Sequence, residues 1–173
     1  GMKIGIMMVR WSFQNGMDPD MNQIVHGTPQ RDAEIDKIKQ TIVNFGKLGI
    51  PVLEWNFYNH RATEGHANVP GRGDSGLSEF KFDRMKDLPP LPAEGVPDHD
   101  TTWRNMEYFL KAVVPVAEQN NVVLSVHPND PPSPKSRGSD QVLNSLADWK
   151  RLIETVDSPS NCLTWDCGVT REM

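Results

Sequence analysis

Short apolar runs alternate with longer amphipathic stretches along this chain. Residues 3–9 (KIGIMMV), 51–57 (PVLEWNF), 122–126 (VVLSV) and 163–165 (LTW) are brief and largely apolar. Strands that are buried on both faces of a parallel sheet have this composition. The pattern therefore predicts four buried strands.

The stretches between these runs predict three helices. Thr28, followed by proline, is a candidate N-cap for a helix that ends at Gly49. Residues 101–119 form the second helix, and Asp140 is a candidate cap for the third. The apolar residues that mark the buried faces are Ile35, Ile38, Ile42 and Phe45; Met106, Phe109, Leu110, Val113 and Ala117; and Leu143, Leu146, Trp149, Ile153 and Val156.

Strands that alternate with helices indicate an α/β fold with a parallel sheet, because a crossover helix ordinarily joins parallel neighbours. No glycine-rich phosphate-binding motif follows a strand, which disfavours an open nucleotide-binding sheet. Polar residues follow several strands, as in (βα) barrels of the TIM type. We therefore predict a single domain over residues 1–173, with a long loop at about 58–100 that covers an active site.

Composition narrows the class of partner. The chain has 173 residues and a formal charge of -5, which disfavours nucleic-acid binding. No run reaches the roughly 20 apolar residues of a membrane span, and no export signal is recognisable. Two cysteines do not make a disulfide framework. We expect a cytoplasmic protein that acts on a small molecule.

Two strand ends carry residues that bind metals in proteins. His127 begins the segment HPNDPP, and Asp166 and Cys167 lie in LTWDCG. A histidine beside carboxylates can hold a divalent ion, for which Asp is a hard oxygen ligand and Cys a softer one. The alternatives are a simple turn at the first site, and at the second a helix cap with a small buried cysteine.

Other polar residues are candidates for contact with a substrate. Asn56 and His60 lie at or beyond the end of the second strand, and Arg72 lies in a glycine-rich stretch, where its guanidinium suits a carboxylate. Glu54 falls inside an apolar strand, where an unpaired carboxylate is costly. We expect Glu54 to have a partner, most simply a structural ion pair, or to face water.

Four segments resemble bacterial mannonate dehydratases. They are residues 28–49 (TPQRDAEIDKIKQTIVNFGKLG), 56–57 (NF), 103–118 (WRNMEYFLKAVVPVAE) and 126–132 (VHPNDPP). The last two are the most specific, and the fourth is similar to the family's metal-site segment HPDDPP.

The resemblance implies a (βα)₈ barrel that dehydrates D-mannonate to 2-keto-3-deoxy-D-gluconate in hexuronate catabolism, with Mn²⁺ or another divalent ion such as Mg²⁺. It makes His127 a metal ligand. The family's ligand cysteine aligns with Asp166, so Asp166 is the favoured second ligand and Cys167 the alternative. Asn129 replaces an aspartate of the family, and it is expected with Asp130 at the substrate. The catalytic acid and base remain unassigned.

Only about four of eight βα units are present by this resemblance. We therefore expect an incomplete barrel that associates with another copy, binds metal weakly and does not turn over D-mannonate by itself. Two alternatives stay open. One is a sugar isomerase or epimerase of the xylose-isomerase-like barrels, and the other is a non-catalytic fragment that self-associates.

Overall fold

The computed structural model describes residues 1–9, 23–58, 64–90 and 97–173. Its elements in chain order are β1 (Ile6–Met8), α1 (Arg31–Leu48), β2 (Val52–Trp55), β3 (His66–Pro70), β4 (Gly76–Phe80), α2 (His99–Gln119), β5 (Val123–Val126), β6 (Lys135–Ser136), β7 (Ser139–Asp140), α3 (Leu146–Thr155), β8 (Asn161–Leu163) and α4 (Cys167–Glu172). No helix in these ranges is both long enough and apolar enough to cross a bilayer.

Four strands form one parallel sheet, in the order β1-β2-β5-β8. Trp55 is in register with Val126, and Val126 is in register with Leu163, so the strands end at similar heights. The predicted α/β class and the four neighbouring parallel strands are confirmed. A TIM barrel has eight such strands, so the described sheet has half that number.

The hydrophobic core lies between one face of this sheet and the helices. Leu53, Trp55 and Leu124 are almost fully buried and belong to one core cluster with Phe109 of α2. The rings of Trp55 and Phe109 meet edge to face, with centroids 5.1 Å apart. Side chains alternate along a strand. Residues between these core positions, such as Glu54, therefore project from the opposite face.

Two of the predicted helix caps are wrong. The hydroxyl of Thr28 donates to the side chain of Gln23, and α1 begins after Gln30 without a side-chain cap. Asp140 lies in β7, where it pairs with Lys135, and α3 begins only after Ser145. Thr28 Oγ1 also accepts from Gln30 N–H, one residue before α1, and Asp140 is held by a partner across the small hairpin, so neither side chain caps its predicted helix. The predicted end at Gly49 is confirmed, with φ of 68° in the left-handed region.

The fourth strand begins earlier than predicted. It spans Asn161–Leu163, and only Leu163 was within the predicted run at 163–165. The side-chain amide of Asn161 donates to the carbonyl oxygens of Leu152 and Val156, at 2.9 and 3.1 Å. These bonds satisfy the buried amide donor of Asn161 and so offset part of the cost of a polar residue at this strand position.

A β-hairpin lies in the connection where only a loop was predicted. β3 and β4 pair antiparallel from His66 with Phe80 to Pro70 with Gly76. Gly73 supplies a positive φ of 65° in the turn between them. We call residues 64–90 the hairpin segment.

Candidate functional site

The carboxyl ends of β2, β5 and β8 bring three predicted site residues to one edge of the sheet. The backbone ladder continues past the strands, because His127 N–H donates to Trp55 O and Thr164 N–H donates to Val126 O. Asn56 and His127 follow the registered pair at the ends of β2 and β5, and Asp166 follows two residues after Thr164. This is the end of the sheet at which α/β barrels carry their chemistry.

His127 and Asp166 form the centre of the site. The His127 Nε2 atom lies 3.5 Å from Asp166 Oδ2, and their side chains are 19% and 35% exposed. The His127 Nδ1 atom is 2.8 Å from the carbonyl oxygen of Pro128. A carbonyl oxygen can only accept, so Nδ1 carries a proton, and the other ring nitrogen, Nε2, faces Asp166.

The Asp166 carboxylate is held by backbone amides. Its Oδ1 atom accepts a hydrogen bond from Val169 N–H at 2.9 Å and caps α4. That bond is the main cause of a lowered pKa for Asp166, and Gly168 N–H and the His127 ring lower the pKa further. The helix-cap alternative for Asp166 is thus confirmed, and it leaves Oδ2 facing His127.

The separation of these two groups suits a divalent ion. Two ligands that bind one ion at about 2.0–2.2 Å and about 90–110° apart lie roughly 3.0–3.5 Å from each other. The 3.5 Å between His127 and Asp166 is at the upper end of this range. No group of three or more His, Cys, Asp and Glu residues that could hold a metal occurs in the described part of the chain. Cys167 is the first residue of α4, and it is exposed.

A chain of hydrogen bonds crosses the face of the sheet from which Glu54 projects. Thr164 Oγ1 donates to Glu54 Oε1 at 2.7 Å, and the hydroxyls of Ser125 and Thr164 are 2.9 Å apart. Glu54 therefore has a hydroxyl partner, and the expected ion pair is not found among the residues that the structure describes. Ser125 and Thr164 each lie two residues before a site residue, and neither was singled out from the sequence. Two signals were available in the sequence. Ser125 and Thr164 are polar residues near strand ends, and each precedes His127 or Asp166 by two positions, which places it on the same face of an extended strand.

Glu172 is another acidic residue at this end of the molecule that the sequence did not reveal. Burial raises the pKa of Glu172, and the negative charges of Asp130 and Asp166 raise the pKa further, whereas His66 lowers it. These interactions place α4, the segment after His127 and the hairpin segment close together. The available signal in the sequence was the possible cap at Asp166, because a helix that begins there includes Glu172.

The remaining predicted residues lie in different settings. Asn129 is 1% exposed, and its amide donates to Gln141 Oε1, so it packs inside the connection after β5. The Oδ1 atom of Asn129 is buried without a partner in the described residues. Arg72 lies in the exposed turn between β3 and β4, and no bond to the other predicted site residues is found within the described ranges. His60 lies outside the described residues.

Comparison with known proteins identifies mannonate dehydratases among the relatives of this chain. Residues 66–171 match the family model described as D-mannonate dehydratase (UxuA). The chain is 30% identical to a mannonate dehydratase of Enterococcus faecalis over 82% of this chain and 48% of that protein. It is 29% identical to one from Thermotoga maritima, over 82% of this chain and 48% of the relative.

A solved structure shows the same likeness. The crystal structure of mannonate dehydratase from Streptococcus suis superposes with a TM-score of 0.79 at 26% identity. The match covers 95% of this chain and 47% of the S. suis chain. The chain thus spans about half the length of the relatives that it matches.

Proposed function

Because this chain belongs to the D-mannonate dehydratase (UxuA) family, we propose that it carries part of a divalent-metal site for the dehydration of a sugar acid such as D-mannonate. The observation that carries this proposal is the approach of His127 Nε2 to Asp166 Oδ2, at 3.5 Å, beyond the ends of neighbouring parallel strands. The relatives described above are mannonate dehydratases, so they favour this activity over the sugar isomerase alternative.

His127 and Asp166 would hold Mn²⁺, or a similar ion such as Mg²⁺. The hydrogen bond from His127 Nδ1 to the Pro128 carbonyl fixes the tautomer in which Nε2 can bind a metal. The lowered pKa of Asp166 keeps its carboxylate ionised at neutral pH. An ion held there would supply positive charge to stabilise negative charge that develops on the carboxylate of an acid substrate. Cys167, next in the chain, is our alternative ligand.

The protein residues around this pair would orient the substrate. The C2 proton of a sugar acid lies beside a carboxylate and is poorly acidic, so the substrate must be held with an acid and a base within hydrogen-bond reach. We propose that Asn56 and Asp130 contact its hydroxyl groups, because both follow strand ends at the His127 edge of the sheet. His60, Arg72 and Asn129 stay predictions from the sequence for this role.

We further propose that this length of chain binds metal weakly and does not turn over D-mannonate alone. Divalent ions in proteins take about four or more ligands, and His127 and Asp166 supply two. Self-association is the accompanying proposal, because the residues of the outer strand β1 are exposed: Ile6 by 51%, Met7 by 39% and Met8 by 43%. The free thiols Cys162 and Cys167 suit the reducing cytoplasm that we propose as its location.

A complementation assay tests the proposed function. The chain is co-expressed with the part of the Thermotoga maritima enzyme that it does not match, and formation of the 2-keto acid from D-mannonate is followed with Mn²⁺. We expect no product from the chain alone and turnover from the folded pair, which His127→Ala abolishes. A folded pair without turnover, or turnover that survives His127→Ala, would contradict the proposal.

A further inference from the structure

Arg137 joins the two long connections that leave the ends of β2 and β5. It lies in the two-residue turn between β6 and β7, with φ of 48°, and Gly138 follows with φ of 83°. A turn with positive φ at both positions favours Asn followed by Gly, and an arginine is disfavoured at the first position. Turn geometry therefore does not explain why Arg137 is there.

The side chain of Arg137 provides the explanation, because it holds both ends of the hairpin segment. Its Nη1 donates to Glu64 Oε1 at 3.0 Å, and its Nε donates to the carbonyl oxygen of Pro89 at 2.8 Å. The Arg137 and Glu64 side chains are only 18% and 23% exposed, so solvent screens this ion pair less than it screens a surface pair.

The turn backbone also fits closely against the same segment. A Cβ atom built on Gly138 would lie 2.7 Å from Pro90 Cβ, which leaves no room for a side chain. A cavity of about 450 Å³ lies alongside, lined by residues of both connections, among them Met85, Leu88 and Arg137.

We propose that Arg137 clamps the hairpin segment against the connection after β5, and so keeps the β3–β4 hairpin ordered. The clamp is a property of this chain's own side chains, and it does not depend on a bound metal or on the proposed dehydration.

Hydrogen–deuterium exchange of the full chain, read by mass spectrometry on peptides from β3 and β4, tests the clamp. Arg137→Asn removes both side-chain bonds but places a favoured residue in the turn. We expect amide exchange in β3 and β4 to become about tenfold faster, with β2 and β5 unchanged. Glu64→Gln keeps the bond to Pro89, so a smaller acceleration of about threefold is expected.

The controls separate a clamp from a local role. Lys135→Gln removes a cation two residues away, whose partner is Asp140 within the same small hairpin, and should leave β3 and β4 unchanged. The double variant Glu64→Gln with Arg137→Asn should exchange no faster than Arg137→Asn alone. Unchanged or slower exchange in Arg137→Asn, or equal acceleration along the whole chain, would overturn the proposal. Because exchange is read without metal or substrate, failure of the dehydratase assay does not affect this test.

Discussion

Asp166 caps α4 and is our proposed metal ligand, and substitution with asparagine and with alanine should separate these two roles. Asparagine caps a helix about as well as aspartate, so Asp166→Asn keeps the bond to Val169 N–H and loses only the charge. The pair with His127 is partly exposed, which limits its contribution to about 0.5 kcal/mol. Alanine also removes the cap, at a further cost of about 1 kcal/mol. The free energy of unfolding should therefore fall by roughly 0.5 kcal/mol in Asp166→Asn and 1.5 kcal/mol in Asp166→Ala.

Metal affinity should follow a different order. Both variants lack the carboxylate, so both should bind Mn²⁺ at least about tenfold more weakly, because even a residue that only orients a ligand is worth about 10–100-fold. Urea unfolding and Mn²⁺ titration of the same preparations measure the two effects. Wild-type Mn²⁺ affinity in Asp166→Asn would refute the ligand role, and equal destabilisation by both substitutions would refute the capping role.

The pH dependence of stability gives an independent check on Asp166. A carboxyl whose pKa is lowered on folding stabilises the protein above its ordinary value of 3.8, and this stabilisation is lost as the pH falls through the folded value. The stability difference between wild type and Asp166→Asn should therefore shrink as the pH falls below 3.8 and vanish in stronger acid. A difference that grows as the pH falls would contradict the assignment.

Three other variants test the surrounding structure. Glu172→Gln should raise the denaturation midpoint at pH 7 but not below pH 4.5, because a raised carboxyl pKa makes the ionised form unfavourable in the folded state. Gly46→Ala should lower the melting temperature, because the new Cβ would lie 2.6 Å from the backbone oxygen of Asn120. This clash should outweigh the preference of helices for alanine over glycine, which is about 1 kcal/mol. A stabilised variant would show that α1 and the end of α2 separate easily. Asn105→Ala should cost about 1–3 kcal/mol in urea unfolding, because the buried Val25 carbonyl loses the 2.8 Å bond from Asn105, and a loss below 0.5 kcal/mol would indicate that water replaces it.

The sequence predicts the sheet well because burial on both faces leaves an unbroken apolar run. β2 and β5 lie within their predicted runs. Gly49 ends α1 in the left-handed conformation that glycine adopts readily. The start of β8 was missed because the amide group of Asn161 donates to carbonyl oxygens of the preceding helix and turn, which no local pattern reveals. The predicted cap at Thr28 was wrong because its hydroxyl bonds to Gln23 and to the N–H of Gln30, which lies just before α1.

The site was predictable only in part, for a similar reason. His127 and Asp166 could be paired from the sequence because parallel strands bring their carboxyl ends to one edge. The bond between Glu54 and Thr164 joins residues 110 positions apart and crosses β5, so it depends on strand order as well as strand identity. The approach of Glu172 to Asp130 likewise depends on the direction in which α4 leaves the sheet.

Binding of Mn²⁺ to the purified chain tests whether His127 and Asp166 form a metal site. The measurement needs neither substrate nor turnover. Free Mn²⁺ is measured by electron paramagnetic resonance during titration of wild type, His127→Ala and the control His99→Ala, whose histidine is 43% exposed at the start of α2. We predict one weak site per chain, with a Kd on the order of 10⁻⁴–10⁻³ M, that persists in His99→Ala and disappears in His127→Ala. Binding of equal strength in wild type and His127→Ala would show that His127 is not a ligand of this ion.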